Sequence, residues 1–147
     1  MDDLSAFAAL VPLDHGLVVV STLRADQTVQ SSVVNAGVLD HPVTGRPVVG
    51  FVSAGRAQRL AHLRARPRAT VVLRAGWRWA AVEGRTDLAG PDDPLDGVVG
   101  DDLRLLLRSI FSTAGGTHDD WEEYDRVMAA ERRVAVFVHA ERTYGSG

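Results

Sequence analysis

Residues 48–68 read VVGFVSAGRAQRLAHLRARPR, and this stretch decides the fold that we predict for the chain. Val48–Ser53 is a short apolar run rich in β-branched residues, which is typical of a buried strand. Gly55 ends the strand pattern, and Arg56–Ala65 takes the apolar spacing of a helix that Pro67 terminates. The stretch therefore predicts a strand that turns directly into a basic helix.

The segments on both sides of this unit predict further elements in an order that suits a barrel. The predicted strands are Leu17–Leu23, Thr28–Leu39, Val48–Ser53, Thr70–Leu73, Trp77–Leu88 and Val134–His139, and the predicted helices cover residues 2–10, 56–65, 101–111 and 119–131. Gly84 predicts a bulge or bend in the fifth strand, and Asp119 with Glu122 predicts a capping box at the last helix. Strands come in runs with short links, so the order argues against a parallel sheet. We predict a mainly β (α+β) fold, a six-stranded antiparallel split β-barrel with flanking helices.

Composition limits the classes of protein that the chain can belong to. Its 147 residues fit a single domain, 1–147, and it is 46% hydrophobic and 24% charged, which is ordinary for a globular protein. The absence of Cys excludes a disulfide scaffold, a thiol nucleophile and an iron–sulfur cluster. All 16 basic residues are Arg, so no lysine can form a Schiff base. No apolar run approaches the roughly 20 residues that span a bilayer, and the acidic N-terminus is unlike a signal peptide, so we expect a cytoplasmic protein.

The motifs that mark several common sites are missing. The sequence has no G-x-G-x-x-G, no P-loop and no G-x-S-x-G. None of its histidines has a partner at the i, i+4 spacing of a helical zinc site, so we expect no metal; they are His15, His41, His62, His118 and His139. A net charge of −3 disfavours a nucleic-acid binder.

One segment has the chemistry of an anion site. Ser53 ends a strand, and Arg56, Arg59 and His62 follow at i, i+3 and i+6 on the helix. The N-terminus of a helix offers free N–H groups, and arginines can add charge-assisted bonds to a phosphate. From the residues alone, a solvated basic face of the helix is somewhat favoured over the anion site, and both interpretations remain open. A nucleic-acid groove is a weaker one, because no aromatic residue interleaves the run.

Four stretches together resemble one known family. They are Val18–Val34, which contains STLRADQTVQSSVV; Ser53–Arg68; Trp77–Thr86, WRWAAVEGRT; and His118–Gly145, HDDWEEYDRVMAAERRVAVFVHAERTYG. The last is the most specific and resembles "H-P-D-W-x-E-Y…R-x-x-x-R-I-x-P-x-R-V-Y-G". The chain resembles the pyridoxamine 5′-phosphate oxidase-like split β-barrel family, and within it the F420-dependent oxidoreductase branch that is common in actinobacteria. Arg59 stands where that family has a phosphate-binding Lys, and His62 where it has an Asn.

The resemblance implies a homodimer with a cofactor cleft at the subunit interface. The cofactor's phosphate would lie at the start of the helix after the third strand, near Ser53, Arg56, Arg59 and His62. Its ring would lie against the second strand, at Ser31, Ser32, Val33 and Val34. Trp77 and Trp79, which we expect on one face of a strand, would either pack in the core or dimer interface or form a wall of the ring pocket. Arg64, Arg66 and Arg68 would meet an anionic tail or remain solvated.

The implied function is hydride transfer from reduced coenzyme F420 to an electron-poor organic acceptor, such as a conjugated enone, a quinone or a tetrapyrrole. Because the cofactor supplies the chemistry, no catalytic side chain is predicted. The loops at residues 40–47 and 89–100 would shape the acceptor pocket. An FMN-dependent flavoprotein of the same fold and a non-catalytic F420 or flavin carrier remain the alternatives, with neither nucleic acid nor a membrane as partner.

Overall fold

Seven strands and four α-helices make up the part of the chain that the structure, a computed structural model, describes, residues 3–146. The strands are β1 (Leu17–Leu23), β2 (Val29–Asp40), β3 (Pro47–Ser53), β4 (Arg68–Ala75), β5 (Arg78–Ala89), β6 (Val134–His139) and β7 (Arg142–Gly145). The helices are α1 (Ser5–Leu10), which a short 3-10 turn at Val11–Leu13 follows, α2 (Gln58–Ala65), α3 (Asp102–Thr113) and α4 (Trp121–Ala130).

Six of the strands close into an antiparallel barrel in the order β4-β1-β2-β3-β6-β5, and β5 pairs with β4 to complete the ring. The two longest strands each serve two neighbours. Strand β2 pairs with β1 over residues 29–35 and with β3 over residues 36–40. Strand β5 pairs with β4 over residues 78–85 and with β6 over residues 86–89. The predicted six-stranded split β-barrel is therefore confirmed, and β7 adds a seventh strand at β5.

Alternating burial along the strands builds the barrel core. Val18 and Val20 of β1, like Val71 and Leu73 of β4, turn inward and are almost wholly buried, while their neighbours face outward. Helices α1 and α2 contribute Phe7, Leu10, Leu60 and Leu63 to the same core. Strand β6 is buried on both faces, because its outward Ala135 and Phe137 pack against Leu107 and Ile110 of α3 in a second core.

The predicted elements are present, with shifts at their ends. Strands β1 and β6 have the predicted bounds, whereas β4 is twice as long as the four residues that we predicted. The first residue of the helix predicted at 2–10 lies outside the described residues. The capping box predicted at Asp119 is wrong: Asp120 is the N-cap, and its side chain accepts the backbone N–H of Glu123. The sequence analysis missed β7, four mostly exposed residues that pair with β5.

Trp77 is not a strand residue. It lies with Gly76, which has a φ of +66°, in the two-residue turn between β4 and β5, and it is 97% exposed. A positive φ suits glycine and is typical of tight hairpin turns. Trp77 and Trp79 therefore do not alternate along one face of β5.

No helix within residues 3–146 combines the length and the apolar character that crossing a bilayer requires.

Gly84 marks a close backbone approach instead of the predicted bulge. The β4–β5 register runs through Gly84 without interruption, opposite Ala69. A Cβ atom at this position would lie 1.8 Å from the carbonyl oxygen of His139, on the neighbouring strand β6. Only glycine, which has no Cβ, allows β5 and β6 to approach this closely at residue 84.

We expect Gly84→Ala to destabilise the protein by about 2–4 kcal/mol, because backbone atoms of the barrel must move apart. Gly50→Ala is the matched control, since its Cβ would press on the flexible end of Leu39, at 2.6 Å, and would otherwise meet side chains at an ordinary contact distance of 3.6 Å. Urea unfolding of both variants measures the difference, and equal losses would contradict this account of Gly84.

Candidate functional site: the arginine cavity

A cavity of about 620 Å³ lies beside β2, and we call it the arginine cavity because Arg59 and Arg133 line it. Its other walls come from the loop before β1, from β2, from the end of β3, from α3 and from α4. These lining residues are His15, Val33, Val34, Asn35, Val52, Ala54, Ile110, Phe111, Ala114, Gly115, Gly116, Tyr124 and Met128. The lining contains no Asp or Glu, and its volume lies in the range of small-molecule sites.

The cavity sits where β2 changes partner. Over residues 29–35 the strand pairs with β1 on one side, and within residues 3–146 no strand pairs with its other edge. Val33, Val34 and Asn35 from this stretch line the cavity. An open strand edge offers backbone N–H and C=O groups to a ligand.

Two serines hold the guanidinium of Arg59. Its Nε and Nη2 donate to Ser32 Oγ at 3.2 and 3.1 Å, and its Nη1 donates to Ser53 Oγ at 2.9 Å. Ser53 is fully buried and donates its own hydroxyl to the carbonyl of Ala54, so its lone pairs are free to accept from Arg59. Within residues 3–146, no acceptor is found for the hydroxyl proton of Ser32, which is therefore available to a ligand.

The charge of Arg59 has no counter-ion among the described residues. No Asp or Glu of residues 3–146 forms an ion pair with it, and serine hydroxyls are neutral. Burial lowers the pKa of the Arg59 guanidinium, and the nearby charge of Arg133 lowers it further. Arginine remains protonated in proteins even so. A partly buried, uncompensated cation with a free hydroxyl beside it attracts an anion.

Gly55 allows the close backbone contact that places Arg59 and Arg133 at the same cavity. Gly55 begins the approach to α2, and its N–H donates to the carbonyl of Glu131 at 3.3 Å. A Cβ at Gly55 would lie 2.4 Å from the carbonyl oxygen of Arg132. The turn after α4 can therefore press against the chain just before α2, which places Arg133 near Arg59.

Five of the ten residues that the sequence analysis predicts to bind the cofactor lie at or beside the arginine cavity. Ser32, Ser53 and Arg59 form one hydrogen-bonded group, and Val33 and Val34 line the same cavity. The remaining five lie elsewhere: Ser31, Arg56, His62, Trp77 and Trp79.

Each of these five has its own setting. Ser31 bonds to Ser21 Oγ at 2.8 Å on the outer face of the sheet, and His62 Nδ1 bonds to Thr22 Oγ1 at 3.0 Å. Arg56 is exposed and precedes α2. Trp79 packs edge-on against Tyr144, with ring centroids 6.1 Å apart, and none of the five lines the arginine cavity.

The arginines proposed for an anionic tail have partners within the chain. Arg64 makes a two-pronged ion pair with Asp93, at 2.8 and 2.7 Å. Arg66 donates to the carbonyl of Leu23, and Arg68 pairs with Glu141 at 2.8 Å. These contacts leave less of their charge for a ligand than Arg59 offers.

Sequence reasoning missed the walls that α3 and α4 provide. Phe111 and Tyr124 belong to an aromatic cluster with Trp121 and His118, in which ring centroids lie 5.0–6.4 Å apart. Burial raises the pKa of Tyr124, whose hydroxyl donates to the carbonyl of Leu107. The apolar spacing of these helices was the available signal, but it did not distinguish a cavity wall from a core.

A separate cluster joins His41, Asp87 and His139. Both histidine Nε2 atoms contact Asp87 Oδ2, at 3.0 Å from His41 and 2.6 Å from His139. The backbone N–H groups of Val43 and Thr44 donate to His41 Nδ1, at 3.1 and 3.2 Å.

This pattern fixes the tautomer of His41. Because Nδ1 accepts, the ring proton sits on Nε2 and points at Asp87, in the position that a metal ion would need. The cluster is therefore built as a hydrogen-bond network that ties the β2–β3 turn to β5 and β6. Burial lowers the pKa of His41, although Asp87 opposes this effect. Burial would raise the pKa of Asp87, but its contacts with His139 and His41 outweigh burial and lower it.

Comparison with known proteins identifies the fold. No protein-family model matches the sequence. A conserved hypothetical protein from Mycobacterium tuberculosis aligns over 99% of this chain and 84% of its own, with 18% identity and a TM-score of 0.67. A pyridoxamine 5′-phosphate oxidase-related, FMN-binding protein from Nostoc punctiforme aligns over 99% and 84%, with 10% identity and a TM-score of 0.66.

Two further structures with this fold are described differently. An F420 reductase aligns over 87% of this chain and 88% of its own, with 15% identity and a TM-score of 0.59. A heme-binding protein from Mycobacterium smegmatis aligns over 100% of this chain but 56% of its own, with 13% identity and a TM-score of 0.63. At these identities the likeness establishes a shared fold.

The His41 network makes stability depend on pH. The folded-state pKa of His41 lies below its unfolded value of about 6.5, so the unfolded chain binds a proton first as the pH falls. The stability that the neutral His41 ring contributes to the folded protein is therefore fully present above about pH 6.5, and it is lost as the pH falls below that value. We expect His41→Asn to flatten the change in unfolding free energy between pH 7 and pH 5, since Asn can still accept the turn's N–H groups without titrating. Urea unfolding across that range tests this, and identical pH profiles would contradict it.

Proposed function

We propose that the chain, as a single domain, is an oxidoreductase that uses coenzyme F420 to transfer a hydride to an electron-poor organic acceptor. The observation that carries the proposal is the guanidinium of Arg59, which Ser32 and Ser53 hold at a cavity wall and with which no carboxylate of residues 3–146 pairs. The resemblance of the sequence to the F420-dependent branch supports the choice of cofactor. The F420 reductase that shares the fold is consistent with it.

The residues present suit such a cofactor. Arg59 and the free hydroxyl of Ser32 would hold its phosphate by charge-assisted bonds. The open edge of β2 and the faces of Phe111 and Val34 would lie along its planar ring. When bound, the cofactor supplies the hydride. The protein's own part is to orient the ring, to exclude water with apolar walls and to neutralise the phosphate.

FMN is the alternative cofactor, because the same group around Arg59 would hold its single phosphate. The FMN-binding protein with this fold is consistent with that choice. A carrier without turnover is the other alternative, because the group around Arg59 would hold the cofactor whether or not a hydride is transferred.

We propose further that two copies of the chain associate through the outer face of β2, β1 and β4. The register places Val33, Val19 and Val72 side by side across these strands, and Val33 and Val19 are 62% and 42% exposed. A second copy would cover this row, since exposed apolar rows of this kind favour association. Val33 also lines the arginine cavity, so the partner subunit would border the cofactor. Trp79 lies on the same sheet, and the exposed Trp77 lies in the β4–β5 turn.

Light scattering of the purified protein is expected to show a dimer at micromolar concentration. Val19→Asp should give a monomer, because it places a charge in the centre of the apolar row. Val99→Asp is the control, since Val99 is 72% exposed and lies outside the sheet. A parent protein that is monomeric at this concentration would refute the proposed dimer.

Arg59→Ala should weaken binding of F420 and of FMN by about 10- to 100-fold, from the loss of a charge-assisted contact worth roughly 1.5–3 kcal/mol. Fluorescence titration measures this loss. Arg64→Ala is the matched control on the same helix, and it should cost less, because Arg64 is paired with Asp93 outside the cavity. If Arg59→Ala binds both cofactors as tightly as the parent, the phosphate subsite lies elsewhere.

The same preparations decide between the proposed activities. The parent should oxidise reduced F420 faster when a conjugated enone, a quinone or a tetrapyrrole is added, and Arg59→Ala should need more cofactor for the same rate. Tight binding without turnover across these acceptors would favour the carrier. A flavin spectrum in the purified protein would favour FMN, and a Soret band would favour heme.

A further inference from the structure

Arg133 lines the arginine cavity and also borders a second cavity, beside Asp125 and Arg132, and part of its guanidinium has no partner among residues 3–146. Its Nε donates to Glu131 Oε1 at 2.9 Å, and its side chain is 30% exposed. Within residues 3–146 no hydrogen bond engages its two terminal nitrogens. When the Nε of a guanidinium is occupied and its two Nη atoms are free, these two nitrogens can donate side by side to the two oxygens of a carboxylate.

The backbone conformation after α4 directs the Arg133 side chain away from that of Arg132. Arg132 has a φ of +50°, a left-handed conformation that residues other than glycine adopt at a cost. The N–H of Arg133 closes the helix end by donating to the carbonyl of Met128 at 3.0 Å. The left-handed residue turns the chain, so that Arg132 pairs with Asp92 at the surface while Arg133 lines the cavity.

Arg133 differs from Arg59 in its charge balance. Glu131 already compensates part of the Arg133 charge, whereas Arg59 contacts only neutral hydroxyls. The cofactor's phosphate is therefore better placed at Arg59, where no carboxylate of residues 3–146 competes for the guanidinium, and a carboxylate of a second ligand is better placed at Arg133. With apolar side chains such as Phe111 and Met128 in the same cavity, the matching ligand is a planar, conjugated molecule that carries a carboxylate.

We propose that Arg133 forms a second anion subsite, which binds a carboxylate on the electron acceptor. The inference rests on the proposed function for the role of this ligand, and it narrows the acceptor to conjugated or aromatic acids. Arg133 sets specificity in this scheme and takes no part in the transfer itself.

A pair of probes of equal shape tests the subsite. We would titrate 2-naphthoate and 2-naphthamide into the full chain, with and without saturating F420, and compare dissociation constants by calorimetry. The parent should bind the carboxylate at least about tenfold more tightly than the amide, as expected for one charge-assisted pair. Arg133→Gln should abolish this preference. Arg132→Gln is the matched control and should retain it, because Arg132 does not line the arginine cavity.

Three results would overturn the subsite. The parent protein could show no preference for the carboxylate, or the Arg133→Gln variant could keep that preference. In the absence of cofactor, the preference could also be lost in Arg59→Gln and retained in Arg133→Gln. A loss of F420 affinity in Arg133→Gln with the naphthoate preference intact would assign Arg133 to the cofactor and would also overturn it. Failure of the proposed function is read separately, from cofactor binding by Arg59→Ala.

A second variant keeps the test independent of folding. Glu131→Gln removes the competing carboxylate from Arg133, so it should strengthen naphthoate binding several-fold and leave naphthamide binding unchanged. A folded Glu131→Gln protein with unchanged naphthoate affinity would contradict the proposal, even if Arg133→Gln did not fold.

Discussion

The change of partner along β2 is the constraint on which the rest of the molecule depends. Residues 29–35 pair with β1 and residues 36–40 pair with β3, so the strand joins two halves of the barrel and leaves one edge open between them. The open edge borders the arginine cavity, and helix α2 brings Arg59 to it. Strand β5 makes the equivalent change on the opposite side, where Gly84 lets β6 pass close by. The same arrangement thus closes the barrel and creates the space for a ligand.

Electrostatics then distinguishes this cavity from the rest of the surface. Two of the five arginines at residues 56–68 form ion pairs within the protein, Arg64 with Asp93 and Arg68 with Glu141. Arg59 has only serine hydroxyls, and the terminal nitrogens of Arg133 have no acceptor among residues 3–146. The protein is acidic overall, and yet this cavity is lined by two arginines and, among residues 3–146, by no Asp or Glu. This contrast supports a planar anionic ligand more strongly than the overall charge of the chain does.

Local patterns predicted the elements that local forces determine. Strands β1 and β6 are runs of apolar residues whose bounds follow from their side chains, and Arg59 was found because it follows a strand and a glycine. Trp77 was misplaced because hydrophobicity alone does not show that Gly76 turns the chain before it. Strand β7 and Arg133 depend on distant contacts, with β5 in one case and with Gly55 in the other. Such contacts leave no periodic signal in the sequence.

The open edge of β2 also has a consequence for the ligand-free protein. A row of unpaired backbone groups is a template on which another chain can add a strand, and natural proteins guard such edges with charge or cover. Here the protecting charge is that of Arg59, whose side chain donates hydrogen bonds to Ser32 on this strand. A molecule seated in the cavity would shield the same edge. If the site binds the proposed ligand, its occupancy would also reduce the tendency of this edge to pair with another chain.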